Sequence, residues 1–582
     1  MNRKQRRAAV KQSPPAGEKR GGDGADQLYA QALGYQQQNR LADAVRAYKR
    51  LLALKPGHAQ GANNLGVVLL TQGKLDDAST RFAQALTLMP QLFDQFGGIV
   101  ATLAAVLPPI GEALRLANAA WPDRLPLERL LGAPGFAAIA ADPMLLCLLQ
   151  STPVRDLALE RLLTSLRLAL LTAALEPRQP LAPATLAFAC ALAKQCFINE
   201  YIFAGTPAED QQVAQLETAV GDAMASGASV APLALAVLAM YRPLHRLPFA
   251  PALLTCAWPK TLDGLLTQQL HEPAQEFAFR ASIAQLAPID DSTSQRVRQQ
   301  YEESPYPRWV NPAGAVEPIA LERYLRDTFP GVTIDLPARP GELDTLVAGC
   351  GTGWHAIATA QKYLGARLLA VDLSLSSLAY AKRKTPAALS ERIDYLQADI
   401  LTLSSIGRSF DMVDASGVLH HMVDPLEGWR ILLDLVRPGG VMHLGFYSEL
   451  GRRDVVAARG FIVERGYAPT PDGIRRCRQE LLASPLSSLT RFDDFFTTSE
   501  CRDLLFHVQE SRMTIPAIKD FLDKHGLKFI GFEFGQAATQ HYAAHFANTG
   551  WSMSDLDRWH AFETQHPNTF SAMYQLWVQK SR

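Results

Sequence analysis

The chain has 582 residues, of which 48% are hydrophobic and 20% charged, and its 57 Lys and Arg balance 57 Asp and Glu. That length calls for three or four domains. A formal net charge of zero excludes non-specific nucleic-acid binding through the bulk of the protein, and no apolar run is long and uncharged enough for a transmembrane segment. The chain opens with "MNRKQRRAAVKQ", where Arg3, Lys4, Arg6, Arg7 and Lys11 stand without an acid among them. With the linker-like "SPPAGEKRGGDGAD" behind it, residues 1–24 read as a disordered, solvated basic tail, the alternative being a contact with acidic lipid or RNA. The seven cysteines (Cys147, Cys190, Cys196, Cys256, Cys350, Cys477 and Cys501) form no CxxC pair and are odd in number. This suits reduced thiols in a cytoplasm and offers no zinc set, so no metal is expected.

After a shift of 34 residues the first region matches itself: Tyr35, Ala44, Tyr48 and Pro56 fall on Leu69, Ala78, Phe82 and Pro90. Leu65 and Gly66 supply the large and small residues of a tight helix crossing. Residues 25–58 and 59–92 thus resemble tetratricopeptide repeats, antiparallel helix pairs with small residues at the crossing. A degenerate third unit, broken at Pro108 and Pro109, extends the region to residue 122. The resemblance implies an all-α solenoid that docks a protein partner or protein substrate. Residues 123–290 are rich in Ala and Leu with Pro between helical runs, and read as an all-helical middle region. Within it, residues 181–198 read as a buried helix. Asn199, Glu200 and Tyr201 behind it read as satisfied polar residues at a helix end, or as the lining of a pocket.

Residues 291–340 form a connecting segment that begins "DSTSQRVRQQYEESPYPRWVNP". Ser292 and Gln295 suggest a capping box for a helix ending near Glu303. Pro305 and Pro307 then force extended backbone that presents Tyr301, Tyr306, Arg308 and Trp309.

From residue 341 the pattern changes to alternating strands and helices. "ELDTLVAGCGTGWHAIATAQKY" is a strand, a glycine turn and a helix, in which Gly349, Gly351 and Gly353 read GxGxG and Trp354 breaks the dinucleotide pattern GxGxxG. "ARLLAVDLS" ends a second strand in Asp372, "IDYLQADI" a third in Ala398-Asp399-Ile400, and "FDMVDASGVLHHM" and "LVRPGGVMHLGFY" supply the fourth and fifth. "GLKFIGFEF" and "SAMYQLWVQK" fit a sixth and an antiparallel seventh. This succession resembles the class I S-adenosylmethionine-dependent methyltransferases over about residues 295–582. It implies an α/β Rossmann-like domain at 341–582, with a seven-stranded sheet and helical insertions at 449–525 and 535–570, where acceptor choice is expected.

The resemblance also implies S-adenosyl-L-methionine as cofactor, held by Gly349, Cys350, Gly351, Thr352, Gly353, Asp372, Leu373, Ala398, Asp399, Ile400 and Ser416. Asp372 would take the ribose hydroxyls and Asp399 the adenine amino group, although turn-forming aspartates are common at strand ends. Val347 stands where the family usually carries an acid at the methionine end, so either a polar contact to the cofactor is weakened or a neighbour replaces it. His355 is the candidate neighbour, against a reading of it as a helix-start residue facing solvent. Segments like 291–340 often close over the cofactor in this class, which makes Tyr301, Tyr306 and Arg308 lid or substrate residues; the alternative is a linker packing its aromatics on the sheet edge. Candidate bases after the fourth strand are His420, preferred on position, and His421, against a reading of both as packing residues. The function expected is methyl transfer to an O or N atom of an unidentified metabolite, glycan, lipid precursor or protein. The alternative is a repeat-based binding scaffold with a cofactor-sensing or inactive methyltransferase-like domain.

Overall fold

A computed structural model describes residues 24–89, 92, 98–132, 135–176, 182–311, 317–336, 341–534, 536–546 and 552–582. The expected basic tail lies outside the described residues except for Gly24. The chain divides into two compact units, Met1–His271 and Glu272–Arg582.

The first unit opens on two antiparallel helix pairs, α1 (Gly24–Gln37) with α2 (Leu41–Leu54) and α3 (Ala59–Thr71) with α4 (Leu75–Leu88). The repeat positions Ala44, Tyr48, Leu65, Leu69, Ala78 and Phe82 are all buried. Gly66 lets the Phe82 ring approach: a Cβ at that position would lie 2.8 Å from it. Helices Ile99–Val106 and Pro108–Ala120 stand where the degenerate unit was expected, with Pro108 opening the second. The rest of the unit is helical among its described residues, and Pro183–Ile198 is buried along most of its length as expected. Asn199 follows that helix and its Oδ1 accepts from Tyr201 N at 3.1 Å, which is the helix-end role. No helix among the described residues is long and apolar enough to cross a membrane.

The second unit is built on a sheet of eight strands: β1 (Ala284–Gln285), β2 (Leu343–Ala348), β3 (Ala366–Asp372), β4 (Ile393–Gln397), β5 (Phe410–Ala415), β6 (Val436–Phe446), β7 (Leu527–Phe532) and β8 (Tyr574–Lys580). Their order is β1-β4-β3-β2-β5-β6-β8-β7, with β8 antiparallel to both neighbours. Alternate residues serve opposite faces. Leu346 and Ala348 enter one apolar core while Val347 enters another, so helices cover both faces, as a parallel sheet requires.

Two expectations are corrected here. The sheet has eight strands, not seven, because Ala284 and Gln285 pair with Leu396 and Gln397 at its edge. A two-residue strand is too short to leave a period in the sequence. The boundary expected at residue 290 also falls inside the second unit. Helix α5 (Glu272–Arg280) is tied to this unit through Arg383, whose guanidinium sits 3.1 Å from Glu272 and 2.8 Å from Glu276.

Both insertions are helical as expected, including Arg453–Arg465, Pro471–Leu482 and Thr498–Phe506 in the first. A fragment of residues 272–582 is therefore expected to fold alone. One starting at 290 loses β1 and both acidic partners of Arg383, and is expected to unfold at lower temperature in a calorimetric scan. Equal transitions would show that α5 and β1 add nothing.

Candidate functional site

Strands β2, β3, β4 and β5 are parallel, so their carboxyl ends and the loops behind them share one edge, the usual place for a ligand in such a sheet. A cavity of about 520 Å³ opens there, within the size range of small-molecule sites. Its wall contains Gly349, Cys350, Gly351, Asp372, Leu373, Ala398, Asp399, Ile400, Ser416 and His421, together with Tyr301 and Tyr306 from the connecting segment.

The glycines are required by geometry. Gly349 has φ +70° and a Cβ there would stand 2.4 Å from Val418; at Gly351, φ +52°, it would stand 2.6 Å from the Tyr306 carbonyl oxygen. Asp372 accepts from Gly351 N at 2.8 Å and Ser374 N at 2.9 Å, which holds the loop against β3. Burial still pushes its pKa up to about 6, against the lowering effect of those amides. Such a carboxylate retains acceptor capacity and would gain from further donors, as a vicinal diol would supply. Asp399 is 5% exposed, and its Oδ1 caps the following turn through Leu401 N at 3.0 Å while the residue also lines the cavity. The apolar side chains of Val371, Leu373, Ile400 and Leu401 complete that end. An acid for hydroxyls beside an apolar slot suits a nucleoside.

Four expected residues stand outside the cavity wall. Thr352 turns away, its hydroxyl donating to Pro307 O. Gly353 faces Ala381 and the Tyr395 hydroxyl, making room for helix packing. Arg308 is not among the wall residues and stands 5.8 Å from the Tyr380 ring. His420, the preferred base, is 1% exposed and stacked on Tyr447 at 3.7 Å. Burial, with His421 and Arg452 nearby, pulls its pKa well below the ordinary value.

Of these two adjacent histidines, His421 is the one that reaches the cavity. Its Nδ1 lies 3.1 Å from Gln509 O. A carbonyl can only accept, so Nδ1 carries the proton in the neutral ring and Nε2 keeps a lone pair. Burial lowers its pKa to about 4. Beside it, Asp503 Oδ1 is 4.0 Å from Nε2 and accepts from the Tyr301 hydroxyl at 2.6 Å. Burial raises Asp503 to about 6. His507 stacks on His421 at 3.7 Å, and its Nδ1 accepts from Gln509 N at 3.0 Å. That hydrogen bond leaves the proton on His507 Nε2, which disfavours a metal between His421, Asp503 and His507 despite ligand atoms within 4.8 Å of one another.

The connecting segment begins with a helix, α6 (Ser292–Glu303), followed by a strap across the glycine loop. Its cap is Asp291, which accepts from Ser294 N at 2.7 Å, and not the expected Ser292; Gln295 instead bonds Ile289 O. Asp291, Ser294, Val297 and Tyr301 line the cavity from one face of α6. Their spacing of three to four residues was readable in the sequence. The strap is fixed where Tyr306 O accepts from Thr352 N at 3.3 Å and where Trp309 Nε1 donates to Thr352 Oγ1 at 3.1 Å. The insertion at 449–525 contributes no wall residue; it stands behind Tyr301 and His421 through Asp503 and His507. Residues missed by the sequence reading include Trp354, Met422, Val423 and Met573, apolar side chains of the wall of which Trp354 and Val423 are exposed.

Residues 346–444 match the family model described as a methyltransferase domain, and residues 29–91 match one described as a tetratricopeptide repeat. An uncharacterized protein of Synechococcus sp. is 26% identical over 266 residues, 44% of this chain and 63% of that protein. A ubiquinone biosynthesis O-methyltransferase of Methylocella silvestris is 35% identical over 162 residues, 27% of this chain and 62% of that enzyme. The chain thus spans less than two thirds of the length of either relative. Among solved structures, PKMT2 from Rickettsia typhi aligns with a TM-score of 0.35 at 15% identity, over 46% of this chain and 54% of that one.

Proposed function

Because the chain carries a class I methyltransferase domain behind a tetratricopeptide repeat region, we propose that it transfers a methyl group to a hydroxyl oxygen of an acceptor with an apolar body. S-adenosylmethionine is the cofactor and supplies a methyl group already activated on a sulfonium centre. The single observation that carries the reading is one cavity wall shared by the glycine loop, Asp372, Asp399 and His421. In it Asp372 holds the ribose hydroxyls, and the slot of Leu373, Ala398, Ile400 and Leu401 holds the base, with Asp399 at its edge. Tyr301 and Tyr306 exclude water from above.

His421 is the base. Its ring is neutral above a pH of about 4, with an accepting Nε2 fixed by the Gln509 carbonyl. As an acceptor hydroxyl loses its proton, Asp503 at 4.0 Å stabilises the imidazolium that forms. Trp354, Met422, Val423 and Met573 offer the acceptor an apolar surface. The relatives named as ubiquinone biosynthesis O-methyltransferases support an oxygen acceptor. The repeats dock a protein partner, and the seven free cysteines suit a reducing cytoplasm.

The experiment is an extract incubated with methyl-labelled S-adenosylmethionine, with and without the protein, in which the labelled product is identified by mass spectrometry. Label on nitrogen or carbon would overturn the oxygen assignment. The strap supplies a second test. Hydrogen exchange at residues 298–311 is expected to slow when S-adenosylhomocysteine is added, while residues 25–89 stay unchanged. Equal protection with and without ligand would leave the strap a linker.

A further inference from the structure

The methionine end of the site has no acid at Val347, yet the structure places one beside it. In the parallel register of β2 and β5, Val347 pairs with Asp414. That carboxylate does not reach the cavity. It is 1% exposed, and its oxygens are taken by His355 Nε2 at 2.7 Å, His443 Nδ1 at 2.9 Å and Ser416 N at 3.1 Å. What the cavity wall receives is the histidine: His355 lines it with 37% of its side chain exposed, from the first turn of α7 (Trp354–Lys362). An acid stands one strand over and is covered by an imidazole.

Resting on the cofactor reading above, we propose that His355 binds the carboxylate of the cofactor's methionyl group as an imidazolium, with Asp414 as the residue that positions and charges it. The order of the wall supports the placement. Asp399 follows β4, Asp372 ends β3, the glycine loop follows β2, and His355 sits over β5, so base, ribose and amino acid follow the sheet order β4-β3-β2-β5. A protonated ring whose Nε2 donates to Asp414 keeps Nδ1–H as a second donor. Its position in the first turn of a helix adds a favourable field for an anion.

The titratable groups facing His355 are Asp414 on β5, His443 on β6, Glu533 after β7, and Lys362 on its own helix. Asp414 outweighs burial and raises the His355 pKa, with Glu533 adding to it and Lys362 opposing. The pairing with His355 and His443 holds the Asp414 carboxyl far below the usual carboxylate range, so it stays ionised at every pH of interest. Affinity for the carboxylate is therefore full at low pH and declines as pH rises through the raised pKa of His355.

The test compares S-adenosylmethionine with its decarboxylated analogue by titration calorimetry on the full chain. His355→Gln is expected to weaken the parent compound about tenfold to a hundredfold and to leave the analogue unchanged. His355→Lys should restore most of the discrimination, and the wild-type preference for the carboxylate should shrink between pH 6 and 9 while that of His355→Gln stays flat. Equal losses for both ligands, or no loss for either, would overturn the proposal. Failure of the wild type to bind either ligand would instead overturn the cofactor reading on which it rests.

Discussion

Asp372→Ala is expected to weaken S-adenosylhomocysteine binding by at least about tenfold, measured by titration calorimetry on the full chain. Each charge-assisted hydrogen bond from a ribose hydroxyl stabilises the complex by ~1.5–3 kcal/mol, and ~1.4 kcal/mol is a factor of ten in the dissociation constant. The carboxylate also accepts from Gly351 N and Ser374 N, so its removal loosens the glycine loop as well. Asp372→Asn keeps the size and one acceptor and should lose less. The wild type adds a pH signature. Burial places Asp372 at about 6, and only its ionised form accepts from both hydroxyls. Affinity should then fall as pH drops below about 6, a decline absent from Asp372→Ala. An unchanged dissociation constant in the alanine variant would remove Asp372 from the site.

The second large effect is on turnover. His421→Ala is expected to lower kcat by about a hundredfold or more, the usual share of a positioned base, with S-adenosylhomocysteine binding unchanged. His420→Ala removes a stacking partner of Tyr447 and is expected to lower thermal stability before it touches kcat. If the two variants exchanged these effects, the sequence preference for His420 would be restored. Asp503→Asn should fall between them, because it removes the charge that stabilises a protonated His421 without removing the ring.

How much of this was legible before folding depends on how local each signal is. The glycine loop, Asp372 and Asp399 each sit at the end of an apolar strand, so spacing along the chain places them at one sheet edge. The repeat helices were readable because Gly66 and Phe82 meet at a crossing, which constrains residue type as well as period. His420 and His421 could not be told apart, since a short turn carries no period long enough to say which neighbour faces the cavity. Asp503 and His507 were invisible for another reason. Asp503 lies in a helix of the first insertion and His507 just after it, and only the fold brings them beside Tyr301, about two hundred residues earlier. The pairing of Val347 with Asp414 is a matter of register between strands, at positions 67 residues apart, which no single strand records. The eighth strand and the start of the second unit at Glu272 were missed because two extended residues and one polar helix resemble any connector.

The central claim is that the intact chain moves a methyl group through this cavity. Extract incubated with methyl-labelled S-adenosylmethionine and the wild-type protein should yield a labelled species, its label on oxygen, that is absent when Asp372→Ala or His421→Ala replaces it. Labelling equal in the presence of wild type, either variant, or no protein would contradict methyl transfer by this cavity.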